Sequence, residues 1–351
     1  MSIRFIGISA LVALPGLACA PESAVEETTG GGDGGVKLRL GYFPNVTHAP
    51  AIVGVESGRF AEALGADVRL QPATFGSGTE VIEAMFAGEL DASFIGPNPA
   101  INGYAKSGGD ALRIVSGTTS GGASLVVRKG IDAPADLAGT ILATPSLGNT
   151  QDVALRAWLA EHGLSTDASG GGDVQITPQE NADTLAAFQN GDLDGAWVPE
   201  PWATRLVQEG GGSVLVDEVD LWLDGRFVTT HLIVATEFLD RHPDVVRDLI
   251  AGLAETIDEI AADPVSAQRL TNDGIERITT KRLAGPIIAA AWERLEFTLD
   301  PLASTLRTSA SDAVDTGLLE PVDLDEPGIY DLSLLDDVLA DRSTSELAAG
   351  S

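Results

Sequence analysis

The sequence predicts an α/β protein of two related lobes facing one another across a cleft. Three observations carry this expectation. Apolar strand-like runs alternate with helical segments from Val36 onward, the pattern of an α/β chain with largely parallel sheets. A stretch repeats: Gly88-Glu-Leu-Asp-Ala-Ser-Phe-Ile95 and Gly191-Asp-Leu-Asp-Gly-Ala-Trp-Val198 lie 103 residues apart, each running into a proline-bearing turn. The same offset relates Thr47-His48 to Thr150-Gln151. A register kept across several elements implies two copies of one building block.

In the first copy, Lys37 to Phe43 alternates with the strand period and meets the turn Pro44-Asn45. Ala49 to Leu64 reads as a helix with Thr47 as its N-cap. Asp67 to Phe75 is a second strand. Thr79 to Phe86 is a helix stopped by Gly88. Ala92 to Ile95 is a short buried strand, a helix follows from Ala100, and Leu112 to Thr119 closes the series.

The second copy retraces this order. Ile141 to Thr144 is a strand, Asn149-Thr150 caps a helix to about His162, and Asp173 to Thr177 is a strand. Ala182 to Phe188 is a helix and Gly195 to Val198 a strand. A turn, Pro199-Glu-Pro201, precedes the next helix. Val228 to Ala235 is a further strand, and helices follow at Pro243 to Ala262, Leu283 to Leu295 and Pro301 to Ala313. With chain crossings near Ser120-Gly121-Gly122 and Phe227 to Thr230, lobe 1 spans 36–119, lobe 2 spans 120–227, and 228–351 returns to lobe 1.

The 351 residues suffice for two cores. Fifty-two acidic against 21 basic residues give a net charge of −31, which makes nucleic acid an unlikely partner. The one cysteine, Cys19, excludes a disulfide framework or thiolate cluster within the chain. Arg4 and the apolar run Phe5 to Leu14 form a short secretion signal (1–19), and Leu14-Pro-Gly-Leu-Ala-Cys19 resembles a lipobox whose cysteine is lipidated. The alternative is cleavage after Ala20, with Pro21 as the first mature residue. Residues 20–35 are glycine-rich and read as a flexible tether. No later segment has eighteen uninterrupted apolar residues, so a lipid-anchored, extracytoplasmic protein is expected.

In open α/β sheets ligands bind beyond the carboxyl ends of the strands. That rule selects Pro44 to His48, Gly96 to Pro99, Ser116 to Gly122, Leu147 to Gln151, Trp197 to Trp202 and Thr229 to His231, none of which contains Lys or Arg. Candidate contacts are Thr47, His48, Asn98, Thr118, Thr119, Thr150, Gln151, Trp197, Glu200 and His231. Helix starts at Thr47 and Thr150 would offer N–H dipoles to an anion. Against this stand plain structural roles: helix caps for the threonines, a turn for Asn98, core for Trp197. His48, Glu200 and His231 are zinc-type ligands from separate loops, but without metal spacing; hydrogen bonding to a ligand is the preferred reading, and no cofactor is expected. Motifs for a nucleophilic serine, a P-loop or a zinc protease do not occur in the sequence, which points to a binder.

Gly41 to Pro50, Phe94 to Tyr104, Gly148 to Trp158 and Trp197 to Leu206 resemble the nitrate/taurine/aliphatic sulfonate family of ABC-importer substrate-binding proteins, over about residues 36 to 320. The resemblance implies a periplasmic-binding-protein-like type II fold that closes on a ligand and delivers it to an ABC permease. A small anion is implied, an aliphatic sulfonate or taurine first, then nitrate, bound by a monomer. A thiamine pyrimidine precursor, a metal-dependent binder and a biosynthetic enzyme on the same fold are the alternatives.

Overall fold

A computed structural model describes residues 35–349 of the chain. The signal segment, Cys19 and the tether to residue 34 lie outside the described residues. Among the described residues, no helix is long and apolar enough to cross a membrane.

The first copy runs β1 (Val36–Tyr42), α1 (Ala49–Glu56), α2 (Arg59–Leu64), β2 (Val68–Thr74), α3 (Gly78–Phe86), β3 (Ala92–Ile95) and α4 (Pro97–Lys106). Strand β4 (Leu112–Gly121) leads into β5 (Ala123–Val127). The second copy follows: β6 (Ile141–Thr144), α5 (Thr150–Glu161), β7 (Gln175–Pro178), α6 (Asn181–Asn190), β8 (Gly195–Pro199) and α7 (Trp202–Gln208), then β9 (Ser213–Asp217). The chain returns on β10 (Val228–Ala235) to α8 (Thr236–Arg241), α9 (Pro243–Ala262), α10 (Pro264–Thr279), α11 (Gly285–Trp292), β11 (Leu295–Phe297), α12 (Ala303–Asp315) and α13 (Ser333–Ala349).

Two mixed sheets result, ordered β11-β4-β10-β3-β1-β2 and β7-β6-β8-β5-β9. Within each, the three strands of one copy are parallel, because a helix returns the chain between them. Sequence alone predicted largely parallel sheets, and besides the short edge strand β11, antiparallel to β4, the strands that depart from this are β10, antiparallel to β3 and β4, and β5, antiparallel to β8 and β9. Strands β10 and β5 each enter their sheet from the other lobe without a helical crossover, so nothing imposes the parallel direction.

The repeated Gly-x-Leu-Asp performs the same work twice. Gly88 and Gly191 have φ of 69° and 95°, the left-handed conformation that ends a helix and that glycine adopts without strain. Leu90 and Leu193 then enter the core. Each aspartate brackets the first strand of its copy: Asp91 accepts the Arg39 N–H at 2.8 Å, and Asp194 accepts that of Ile141 at 2.8 Å. Their own N–H groups return bonds to the carbonyls of Arg39 and Ile141. The motif is a buckle between the third strand of the unit and the first.

Both sheets are covered on both faces. Alternation along β10 sends Leu232 and Val234 toward α9, where Leu249 and Leu253 wait, and Ile233 toward Ile101 of α4. Sheet two packs Trp197 with Trp158 of α5 on one side, and Val198 with Phe188 of α6 on the other.

Two local expectations need correction. The helix from Ala49 to Leu64 is broken at Ser57-Gly58, where Gly58 has φ of 80°, so α1 and α2 are separate. Thr47 is not a cap: it lies inside a single tight turn, Val46–His48, and His48 occupies the cap position of α1. The Thr47 carbonyl is held by the hydroxyls of Thr119, at 2.8 Å, and Thr230, at 3.3 Å.

Candidate ligand-binding site

The carboxyl ends of β1, β2, β3, β6 and β7 face one small cavity of about 50 Å³ between the lobes. Lobe 1 contributes the turn with Thr47 and His48, Ser77 before α3, and Gly96 before α4; lobe 2 contributes Ser146 to Gln151 before α5 and Asn181 at the start of α6. No lysine, arginine, aspartate or glutamate lines it. What it offers is hydroxyls, amides, one imidazole and several helix N-termini, whose first N–H groups lack helical acceptors.

The start of α5 shows how this works. Asn149 accepts the Asp152 N–H at 2.9 Å through its side chain, so it caps the helix. The N–H groups of Thr150 and Gln151 precede the first possible helical bond and remain for another acceptor. Asp152 points away, taking the Thr144 hydroxyl and the Gly148 N–H at 2.9 Å each and Arg156 at 3.1 Å. That buried pair keeps the one carboxylate of the first turn out of the cavity.

His48 is 3% exposed, and burial pushes its imidazole down to about 3, so it is neutral. A long bond from the Phe43 N–H to Nδ1, 3.4 Å, puts its proton on Nε2, making it an uncharged donor. The Phe43 ring leans on it at 4.5 Å.

The lobes touch around the cavity. Trp202 Nε1 donates to Asn45 Oδ1 at 3.0 Å, and Asn102 Nδ2 to the Gly148 carbonyl at 3.2 Å. A Cβ on Gly96 would lie 2.7 Å from Thr150 Oγ1, so glycine is needed there for close approach. Behind the cleft the crossing strands are pinned by Arg226 to Glu296 and Arg294 to Asp217, at 2.9 and 2.7 Å.

Of the residues singled out from sequence, Thr47, His48, Thr150 and Gln151 line the cavity. The others lie elsewhere. Thr118 and Thr119 are buried in β4 and brace backbone carbonyls of Thr230 and Thr47. Asn98 faces α12, donating to the Ser309 carbonyl at 3.2 Å. Trp197 is core, its Nε1 bonded to Glu218 at 2.7 Å. Glu200 is buried, accepts the N–H and hydroxyl of Thr204 at 3.1 and 2.9 Å, and stands 3.4 Å from Arg294. His231 Nε2 bonds the Pro301 carbonyl at 2.8 Å, its ring edge-on to Tyr330. His48, Glu200 and His231 do not assemble, and among the described residues no group of three metal-ligating side chains forms. Sequence reasoning missed Ser77, Asn149 as a cavity residue, and Asn181. Applying the strand-end rule to the second strand of each copy, which precedes Ser77 and Asn181, would have found two of them.

A cleft between two α/β lobes, floored by helix N-termini and closed by interlobe hydrogen bonds, is the architecture of the periplasmic-binding-protein-like type II fold. The chain belongs to the NMT1-like family, whose model matches residues 32–270. It is 27% identical over 215 residues to the taurine-binding periplasmic protein of Escherichia coli K12, covering 61% of this chain and 64% of that protein, less than two thirds of its length. A putative aliphatic sulfonates-binding protein of the same organism is 24% identical, with 88% and 89% covered. The fold matches the alkanesulfonate-binding protein SsuA from Xanthomonas axonopodis pv. citri, bound to MOPS, with TM-score 0.68, 18% identity, and 82% and 95% covered.

Proposed function

We propose that this protein is the substrate-binding component of an ABC importer, working outside the cytoplasmic membrane with a lipid anchor at Cys19. It captures a small anion, a sulfonate or taurine first, and presents it to a permease. The observation that carries the reading is the cavity itself: helix starts from both lobes converge on a space without a single charged side chain. Such a site suits an anion whose own charge is fixed, because hydrogen bonds and dipoles hold it without a counter-ion. The sulfonate and taurine relatives favour this ligand class. Contacts contributed by both lobes stabilise the closed state by their differential affinity, and closure is what a permease can read.

Thermal-shift and calorimetric titration of the purified protein with methanesulfonate, taurine, nitrate and bicarbonate tests the reading. A ligand at one hundred times its Kd should stabilise the fold by about 2.7 kcal/mol. Stabilisation by a neutral pyrimidine and by none of the anions would refute it.

A further inference from the structure

The second copy carries a buried ion pair where the first copy has none. Asp152, the third residue of α5, and Arg156, one turn on, meet at 3.1 Å with side chains 0% and 1% exposed. The 103-residue offset places Ala49 and Val53 at the matching positions of the first copy, both fully buried. The folding unit therefore does not require charge there, and a buried pair is in itself a weak source of stability. Neither side chain lines the small cavity, yet Asp152 directly follows Gln151, which does.

The carboxylate has a local task. By accepting the Thr144 hydroxyl and the Gly148 N–H it holds the loop that brings Ser146 and Asn149 to the cavity. Its charge, in the first turn of α5, opposes any anion seated on that same helix start. Arg156 supplies the balance: Nε takes the carboxylate and Nη1 donates to the Asp167 carbonyl, while the buried Nη2 has no hydrogen-bond partner among the described residues. The carboxylates of Asp167 and of Asp315, which shares a cavity of about 320 Å³ with Arg156, also act on the guanidinium, but both are exposed and screened by water.

We propose that Arg156, without touching the ligand, is a positioning residue of the anion site: it cancels the Asp152 charge, so that the carboxylate can hold the loop while the start of α5 still attracts an anion. This rests on reading the small cavity as an anion site.

The test is calorimetry at pH 8 with the tightest binder among methanesulfonate, taurine, nitrate and bicarbonate. A lone charge roughly 8 Å from the anion, at an effective dielectric of about 20, changes affinity by about thirtyfold. Arg156→Met should therefore weaken binding at least fivefold, and Arg156→Lys, which keeps the charge and loses the guanidinium, should not. Adding Asp152→Asn to Arg156→Met should bring the Kd back to within about twofold of the parent. A packing role for Arg156 predicts the reverse, with lysine as damaging as methionine and no rescue by the second substitution. That pattern, or an Arg156→Met protein that binds within twofold of the parent, overturns the proposal. Should Arg156→Met not fold, Asp152→Asn alone decides: it should bind tighter than the parent, and weaker binding overturns the proposal. If the parent binds none of these anions, the anion reading fails and takes this inference with it.

Discussion

The proposed capture of an anion without a counter-charge has a consequence for pH. His48 is the one titratable side chain on the small cavity, and burial lowers its imidazole from 6.5 to about 3. That displacement sets ~5 kcal/mol against protonation, and at pH 5 only about 1% of the imidazole would be charged. The perturbation is a pH series from 8 to 5.5, read by calorimetry with methanesulfonate, whose charge does not change. The expected result is a Kd constant within about twofold. Were His48 an imidazolium of ordinary value gripping the anion, affinity would instead tighten by up to about tenfold per unit as pH falls from 8 and level off below about 6.5. That slope would refute the neutral-donor account. The same burial destabilises the fold in acid. A base depressed in the folded state contributes stability that is complete above pH 6.5 and lost as pH falls toward about 3 for His48, and toward about 4 for His231.

Other expectations follow from single contacts. Trp202→Phe removes the bond to Asn45 while keeping a ring, costing about 1 kcal/mol of the closed state and so about fivefold in ligand affinity by calorimetry. Gly96→Ala places a methyl 2.7 Å from Thr150 Oγ1 and should hold the lobes apart, seen as weaker binding and a larger radius of gyration by small-angle scattering. Glu218 is buried and its carboxyl is pushed up to about 7, so the charged form is disfavoured in the fold and the contribution is lost as pH rises from 4.5 through 7. Glu218→Gln should therefore raise stability at pH 8 by up to ~3 kcal/mol and give no gain near pH 4.5 in urea melts. Asp194→Ala strips the Ile141 N–H of its acceptor and should cost about 1–3 kcal/mol, measured the same way.

Much of the fold was legible because the strands are short apolar runs bounded by turns: β3, β6, β10 and α9 have the bounds the sequence implies. Strands β5 and β9, helix α10 and α13 were not read. β5 is buried throughout, Ser124 included, and its pairing depends on partners far along the chain, Gly195 to Pro199 and Ser213 to Asp217. The direction of β10 was hidden for the same reason. At the site, loops were legible and side-chain direction was not. Asn98 sits in the right loop, but as the second residue of α4 it faces α12, and Glu200 faces its own helix. Rules that pick strand ends name the neighbourhood, and only packing decides which residue turns inward.

The way the two sheets draw on the chain also orders their assembly. Every strand of the five-stranded sheet comes from one unbroken stretch, Ala123 to Asp217, so its pairings are complete once that segment exists. The six-stranded sheet cannot join β3 to β4 until β10, more than a hundred residues beyond, slides between them. Loop-closure entropy makes that insertion the late, slow event. The central, later-made half therefore matures first, and the amino-terminal half waits with two unpaired strand edges for the chain to come back.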